Sequence, residues 1–270
     1  MNNIDKALEE LDALKESEIL LLSEASERLA QDTATKIESG FTMLDDCMDG
    51  GFREGDFTVI SGIPGEGKTT LARMFTLNFA KNNIPSLWLS YEMTIPELKE
   101  SFDKMGADNS LIAYVPAELN DEYDWLVRHM DKAVLEKGIR AVFIDTLGDV
   151  VKSVKTQHEL SNYATYLSQL CKDLRRYGIK NNLMIFVIAH ATKITKSRSN
   201  ETDNSDIANS NGIPAQATNI FHVWRTDKNT IIKIGKSRRD GTKKNWRIKC
   251  DFIDNKLIPI QASGNPEDLW

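Results

Sequence analysis

From residue 41 onward, short uninterrupted apolar runs alternate with stretches of helical periodicity. The apolar runs at 57–61, 86–91, 141–145 and 184–189 are too short for helices and read as strands. Between them, 69–81, 95–104, 124–136 and 158–177 carry apolar residues at helical spacing. Strands that are apolar at every position suit a sheet covered on both faces. Their alternation with helices predicts an α/β fold with a mostly parallel sheet. After residue 218 the pattern changes to three consecutive strands, 219–224, 230–234 and 245–251, joined by short turns, so the sheet is expected to end antiparallel. Upstream, Ile4, Leu8 and Leu11, then Ile19, Leu22 and Leu29, recur at helical spacing in an acidic segment. Residues 31–40 are small and polar and read as a linker. The expected organisation is therefore an amphipathic helical extension with its linker over 1–35, and one domain over 36–270. An amphipathic stripe outside the core needs a cover; its own domain and a neighbouring subunit both qualify.

Composition changes this picture little: 41% hydrophobic and 27% charged residues are ordinary for a globular chain. No apolar run approaches the length that crosses a bilayer, and the first residues lack a charged-then-apolar leader pattern. The expectation is a cytoplasmic protein with no membrane partner. The three cysteines, Cys47, Cys171 and Cys250, are widely spaced and fit neither a disulfide framework nor a zinc site; they read as small buried hydrophobes. Charge distribution matters more than the net charge of −6. Residues 1–30 hold eight Asp or Glu against three Lys or Arg, whereas 190–250 hold thirteen Lys or Arg against five Asp or Glu. A basic surface of that kind can bind phosphate on a protein that is acidic overall, or it can be a solvated face.

The chemistry begins at Gly62-Ile63-Pro64-Gly65-Glu66-Gly67-Lys68-Thr69-Thr70, which fits G-x-x-x-x-G-K-[ST] in full. It sits between an expected strand and an expected helix, where the mechanism needs it. Glycines let backbone N–H groups wrap phosphates, and the helix that follows points its positive end at them. Lys68 is expected to reach the β- and γ-phosphates of ATP, and the Thr69 hydroxyl to bind Mg²⁺. The metal also needs a carboxylate at the end of a neighbouring strand. Ala141-Val142-Phe143-Ile144-Asp145 supplies one in Asp145. Hydrolysis needs a group to polarise water, and Thr146, not Glu, follows Asp145. Glu92, just after the second strand, is the candidate; the alternative is a first-turn acid of the helix near Thr94.

These residues together resemble the hexameric replicative helicases of the DnaB type, in particular the helicase halves of phage primase–helicases and of Twinkle. The resemblance covers about residues 36–260. It implies a RecA-like P-loop NTPase fold, ATP hydrolysis and a hexameric ring on single-stranded DNA, with a separate primase or loader as a possible further partner. Ser90-Tyr91-Glu92-Met93-Thr94 stands where the family has its catalytic Glu. His190, a lone His at a strand end, stands where the family senses the γ-phosphate, and matches the phage variant. Together with the short N-terminus, this gives the expectation of a phage-encoded protein in a bacterial host. The resemblance places Arg225 near the adenine and Phe252 as a wall of the base site. It makes Lys236-Ser237-Arg238 the finger supplied in trans to a neighbour's ATP, against the alternative of a basic turn before Gly241. Two departures stand out: only about 40 residues precede the core where family members usually carry a further domain, and the family's Ser-Gly step is altered to Ser210-Asn211-Gly212.

Two polar loops are the expected DNA contacts. One carries Lys152 and Lys155; the other carries Lys193, Lys196 and Arg198. Neither interleaves aromatics, so phosphate contact without base readout is expected. The leading expectation is an ATP-driven translocase that unwinds DNA. A filament-forming recombination ATPase, and an ATP-gated recruitment module, share the same phosphate loop and are the alternatives.

Overall fold

A computed structural model describes residues 21–23, 35–150, 163–191, 201–207 and 212–269. The chain divides into two units, Met1–Thr35 and Lys36–Trp270, and the second of them holds the sheet and its helices. All but a few of the residues of the expected N-terminal helices lie outside the described residues.

Nine strands form one sheet in the order β3-β2-β4-β5-β1-β6-β7-β8-β9. They are β1 (Phe57–Gly62), β2 (Ser86–Ser90), β3 (Ala113–Tyr114), β4 (Ala141–Asp145), β5 (Met184–His190), β6 (Asn219–Arg225), β7 (Thr230–Ser237), β8 (Arg247–Ile253) and β9 (Lys256–Ser263). The pairs from β3 to β6 are parallel, and β6 to β9 are antiparallel. The helices are α1 (Thr42–Asp46), α2 (Lys68–Lys81), α3 (Ile95–Asp103), α4 (Tyr123–Lys137), α5 (Tyr163–Lys180) and α6 (Gly212–Gln216). Among the described residues, no helix is long and apolar enough to cross a membrane.

Strand alternation builds two chemically different cores. On one face Phe143 and Phe186 stack with ring centroids 4.6 Å apart, and Phe52 meets Phe186 edge-on at 4.9 Å. Phe75, Phe79, Trp88 and Phe221 complete this aromatic layer under α2. On the other face Val142, Ile144, Ile185 and Val187 pack with Leu167, Leu170 and Leu174 of α5. All four strand residues are buried, which explains why these strands read as continuous apolar runs. The three cysteines are buried and unpaired, and burial pushes the thiols of Cys171 and Cys250 up to about 12.

Three elements carry no periodic signal. α1 is short, and β3 has two residues at the sheet edge. β9 contains Pro259 and pairs with β8 across a register shift at Lys249/Cys250. Proline lacks a ladder donor and is tolerated there because β9 is the other edge. The start of the expected helix over 158–177 also falls outside the described residues.

Candidate nucleotide site

Parallel pairing brings the motif residues together before any side chain is considered. Gly62 lies level with His190, and Ser90 level with Asp145. All four are at the carboxyl ends of their strands, where open α/β sheets bind ligands.

The phosphate loop joins β1 to α2. Gly65 and Gly67 hold φ of 83° and 102°, a region closed to most side chains. A Cβ on Gly62 would run into the carbonyl oxygen of Val223 on β6. Gly67 caps α2 without any side-chain hydrogen bond, so the first N–H groups of the helix face the cleft. Lys68 is buried and its Nζ donates to the carbonyl of Ile63 at 3.0 Å, folding back over the loop. Burial lowers its pKa, against the pull of Glu92, Asp145 and Glu66. The Glu66 carboxylate accepts from the backbone N–H of Arg225, which ties the loop to the end of β6.

Thr69 Oγ1 donates to Asp145 Oδ2 at 2.9 Å. The other oxygen, Asp145 Oδ1, is buried without a hydrogen-bond partner. Burial first, and then the neighbouring Glu92 carboxylate, push the Asp145 pKa up to about 6. A dehydrated carboxylate with an orphaned oxygen beside a threonine hydroxyl is a donor set that fits Mg²⁺. Among the described residues, no group of three or more His, Cys, Asp or Glu converges to cage a metal. That suits an ion that takes its remaining ligands from phosphate and water.

Glu92 is held on a short turn in which Ser90 Oγ bonds both the carbonyl and the N–H of Met93. Its own N–H reaches the carbonyl of Asp145 at 3.3 Å. Glu92 Oε1 pairs with His190 Nε2 at 2.9 Å, and both side chains remain partly exposed. The capping role near Thr94 belongs to Glu97, which forms a reciprocal capping box with it. Glu92 is thereby left facing the cleft. Pro64, Gly65, Gly67, Lys68, Thr69, Thr70, Glu92, His190 and Arg225 line one cleft of about 200 Å³.

The Arg225 guanidinium lies over the Phe252 ring at 5.1 Å, so these two meet. Sequence reasoning missed Arg73. One turn beyond Thr69 on α2, it donates to Thr69 O and Thr70 Oγ1, both at 3.3 Å, and its charge pulls on Asp145. Its spacing of four residues from Thr69 was the available signal.

Lys236 and Arg238 do not join this cleft. Lys236 Nζ donates to Pro214 O at 2.6 Å, and Arg238 Nη2 to Ala215 O at 2.8 Å, so they cap the end of α6. Arg238 N bonds Thr218 O, and Thr218 N bonds Phe57 O. Arg238 is therefore level with the first residue of β1, whereas the phosphate loop leaves from the last. At about 3.3 Å per residue this separates them by roughly 16 Å along the strand. Arg239 is bound elsewhere, to the buried Asp56 at 2.7 Å. Lys152, Lys155, Lys193, Lys196 and Arg198 lie outside the described residues, as do Ser210 and Asn211. The stem of the second loop is described: Ala191 N donates to Gly62 O at 3.0 Å and Ala191 bridges Ile207.

The profile of the KaiC ATPase family matches residues 37–201, more than half of the chain. The DNA repair protein RadA of Listeria monocytogenes is 25% identical over 171 residues, which cover 62% of this chain and 34% of the relative. The replicative DNA helicase DnaB of Mycoplasma genitalium is 23% identical over 277 residues, covering 87% and 58%. The chain thus spans about a third of the length of the RadA relatives that it matches. Among solved structures, the ATPase domain of G40P superposes with a TM-score of 0.73 at 16% identity, covering 89% of this chain and 97% of that one. A DnaB-like replicative helicase, solved in a study of its interactions with primase, gives 0.72 at 17% identity, covering 96% and 72%. The fold is RecA-like, with DnaB-like helicase ATPase domains among its structural neighbours.

Proposed function

The chain belongs to the KaiC ATPase family, and from that premise we propose that it is an ATP-driven translocase on single-stranded DNA, working as a ring and unwinding duplexes. The observation that carries this reading is the separation of Arg238 from the phosphate loop of its own chain. A finger at the opposite end of the strands from its own phosphate loop can serve only another copy's nucleotide, so on this reading the active unit is an assembly. A closed six-fold ring is the form that the resemblance to DnaB-type helicases implies.

Within one site, the N–H groups of residues 65–69 and the Lys68 ammonium hold the phosphates of ATP. Thr69 and Asp145 would hold Mg²⁺, which when bound neutralises developing charge on the phosphate oxygens. Glu92 orients and deprotonates the attacking water at its Oε atoms. His190, hydrogen-bonded to Glu92, is the first side chain at the stem of the loop that carries Lys193, Lys196 and Arg198. Exchange of the Glu92–His190 bond for a contact with the γ-phosphate would pass the nucleotide state to that loop. Together with Lys152 and Lys155, these cations would grip DNA phosphates without reading sequence. Arg225, resting on the Phe252 ring, would present its guanidinium to the base.

The DNA repair proteins among the relatives support a second reading, a repair or recombination ATPase, which on the sequence alternative would work as an open filament. ATP hydrolysis measured with and without single-stranded DNA, beside a forked-duplex unwinding assay and with Lys68→Ala as the blank, separates the two. Stimulation with unwinding supports the translocase. Stimulation without unwinding, with open helices in electron micrographs, supports the filament. No response to DNA rejects both.

A further inference from the structure

A third cation stands with the two residues of the finger. α5 packs against α6, whose Pro214 and Ala215 carbonyls hold Lys236 and Arg238 at the amino ends of the strands, and Arg175, late in α5, lies near enough for its charge to act on both. Among the described residues none of the three is paired with a carboxylate. Lys236 and Arg238 each use one donor on an α6 carbonyl and keep the rest. The Nε of Arg175 is buried without a hydrogen-bond partner. Clustered cations without an acid among them are unfavourable until an anion arrives. Burial, then Arg238, then Arg175 hold Lys236 down at about 8, and burial with Arg238 also lowers Arg175.

We infer that Arg175, Lys236 and Arg238 form one three-cation anion site, and that its ligand is the terminal phosphate of the ATP bound to a second copy of this chain. The inference rests on the reading of Lys236 and Arg238 as a finger in trans, and adds Arg175 to it. Guanidinium groups suit this task because their flat donor fork matches phosphate oxygens. Arg175 then contacts a substrate that its own chain does not hold.

The test uses the full chain and ATP turnover in mixed assemblies. Arg175→Met keeps an unbranched stem and removes the charge; Arg175→Lys keeps the charge. Loss of one charge-assisted contact predicts a fall in kcat on the order of 10- to 100-fold for the Met variant, with ATP affinity retained. The Lys variant should recover part of that loss. Mixing Arg175→Met with Lys68→Ala should restore turnover, because the Lys68→Ala subunit supplies an intact finger to an intact site. Arg238→Ala mixed with Lys68→Ala is the control for the underlying reading. Recovery in the control but not with Arg175→Met overturns the role of Arg175 alone. Absence of recovery in both overturns the trans finger as well. Equal activity of the Met and Lys variants shows that the charge is idle and also overturns the proposal. Should the Met variant unfold, Arg175→Gln replaces it in the same mixtures.

Discussion

Two clusters of like charge mark opposite ends of the strands of one sheet. At the carboxyl ends of β2 and β4, Glu92 and Asp145 face each other, and Asp145 is dehydrated and pushed up to about 6. At the amino ends, Lys236 and Arg238 stand with Arg175, and Lys236 is pushed down to about 8. Each cluster is unfavourable by itself, and in opposite senses. A divalent cation satisfies the first; a phosphate satisfies the second. A single chain cannot join the two, because the β6–β7 turnaround sets Lys236 and Arg238 at the end of the sheet away from the phosphate loop. On the proposed reading, the difference teaches that the nucleotide site is divided between copies, each half made for an ion that the other half helps to place.

The largest expected effect comes from the cationic half. Arg238→Ala should lower kcat on the order of 10³-fold while ATP still binds, measured by steady-state hydrolysis beside equilibrium ATP binding. Near wild-type turnover would break the comparison by leaving the cations without a catalytic task. On the acidic half, Glu92→Gln should lower kcat on the order of 10²-fold or more, again with ATP bound. A rise in KM with kcat unchanged would make Glu92 a binding group and not the base.

The acidic half also predicts a stability effect of definite sign. Asp145 has a folded pKa raised above its unfolded value, so ionisation works against folding at neutral pH. Asp145→Asn should stabilise the nucleotide-free protein by on the order of 2 kcal/mol in urea unfolding above pH 6, while turnover is lost. The advantage should shrink as pH falls through about 6 and vanish below about 4, where the wild-type carboxyl is protonated in both states. A destabilised variant at neutral pH would mean that Asp145 is a structural acid. The smallest effect is expected at the rim. Phe252→Ala removes the ring under Arg225 and should raise KM for ATP only a few-fold, in keeping with about 0.5–1 kcal/mol for an exposed cation–π contact. An unchanged KM would place the base elsewhere.

The two halves were unequally legible in the sequence. The phosphate loop, Asp145 and the strands that carry them follow from local pattern, because each is a contiguous run whose chemistry and periodicity coincide. Glu92 needed the parallel sheet to meet Asp145 and His190, and the structure gives the helix cap to Glu97 instead. Arg73 was hidden because its role depends on one helical turn of distance from Thr69. Arg175 was invisible for a stronger reason: α5 ends at Lys180 and β7 begins only at Thr230, and packing around α6 is what brings Arg175 toward Lys236. β9 was missed because Pro259 argues against a strand anywhere except at an edge.

The most direct test of a divided site is the ATP turnover per chain as a function of protein concentration, with particle mass followed in the same samples. The account predicts that turnover per chain falls toward zero as the assembly dissociates on dilution, and reaches a plateau where the multimer is complete. A constant turnover per chain down to concentrations at which only single chains remain would contradict it.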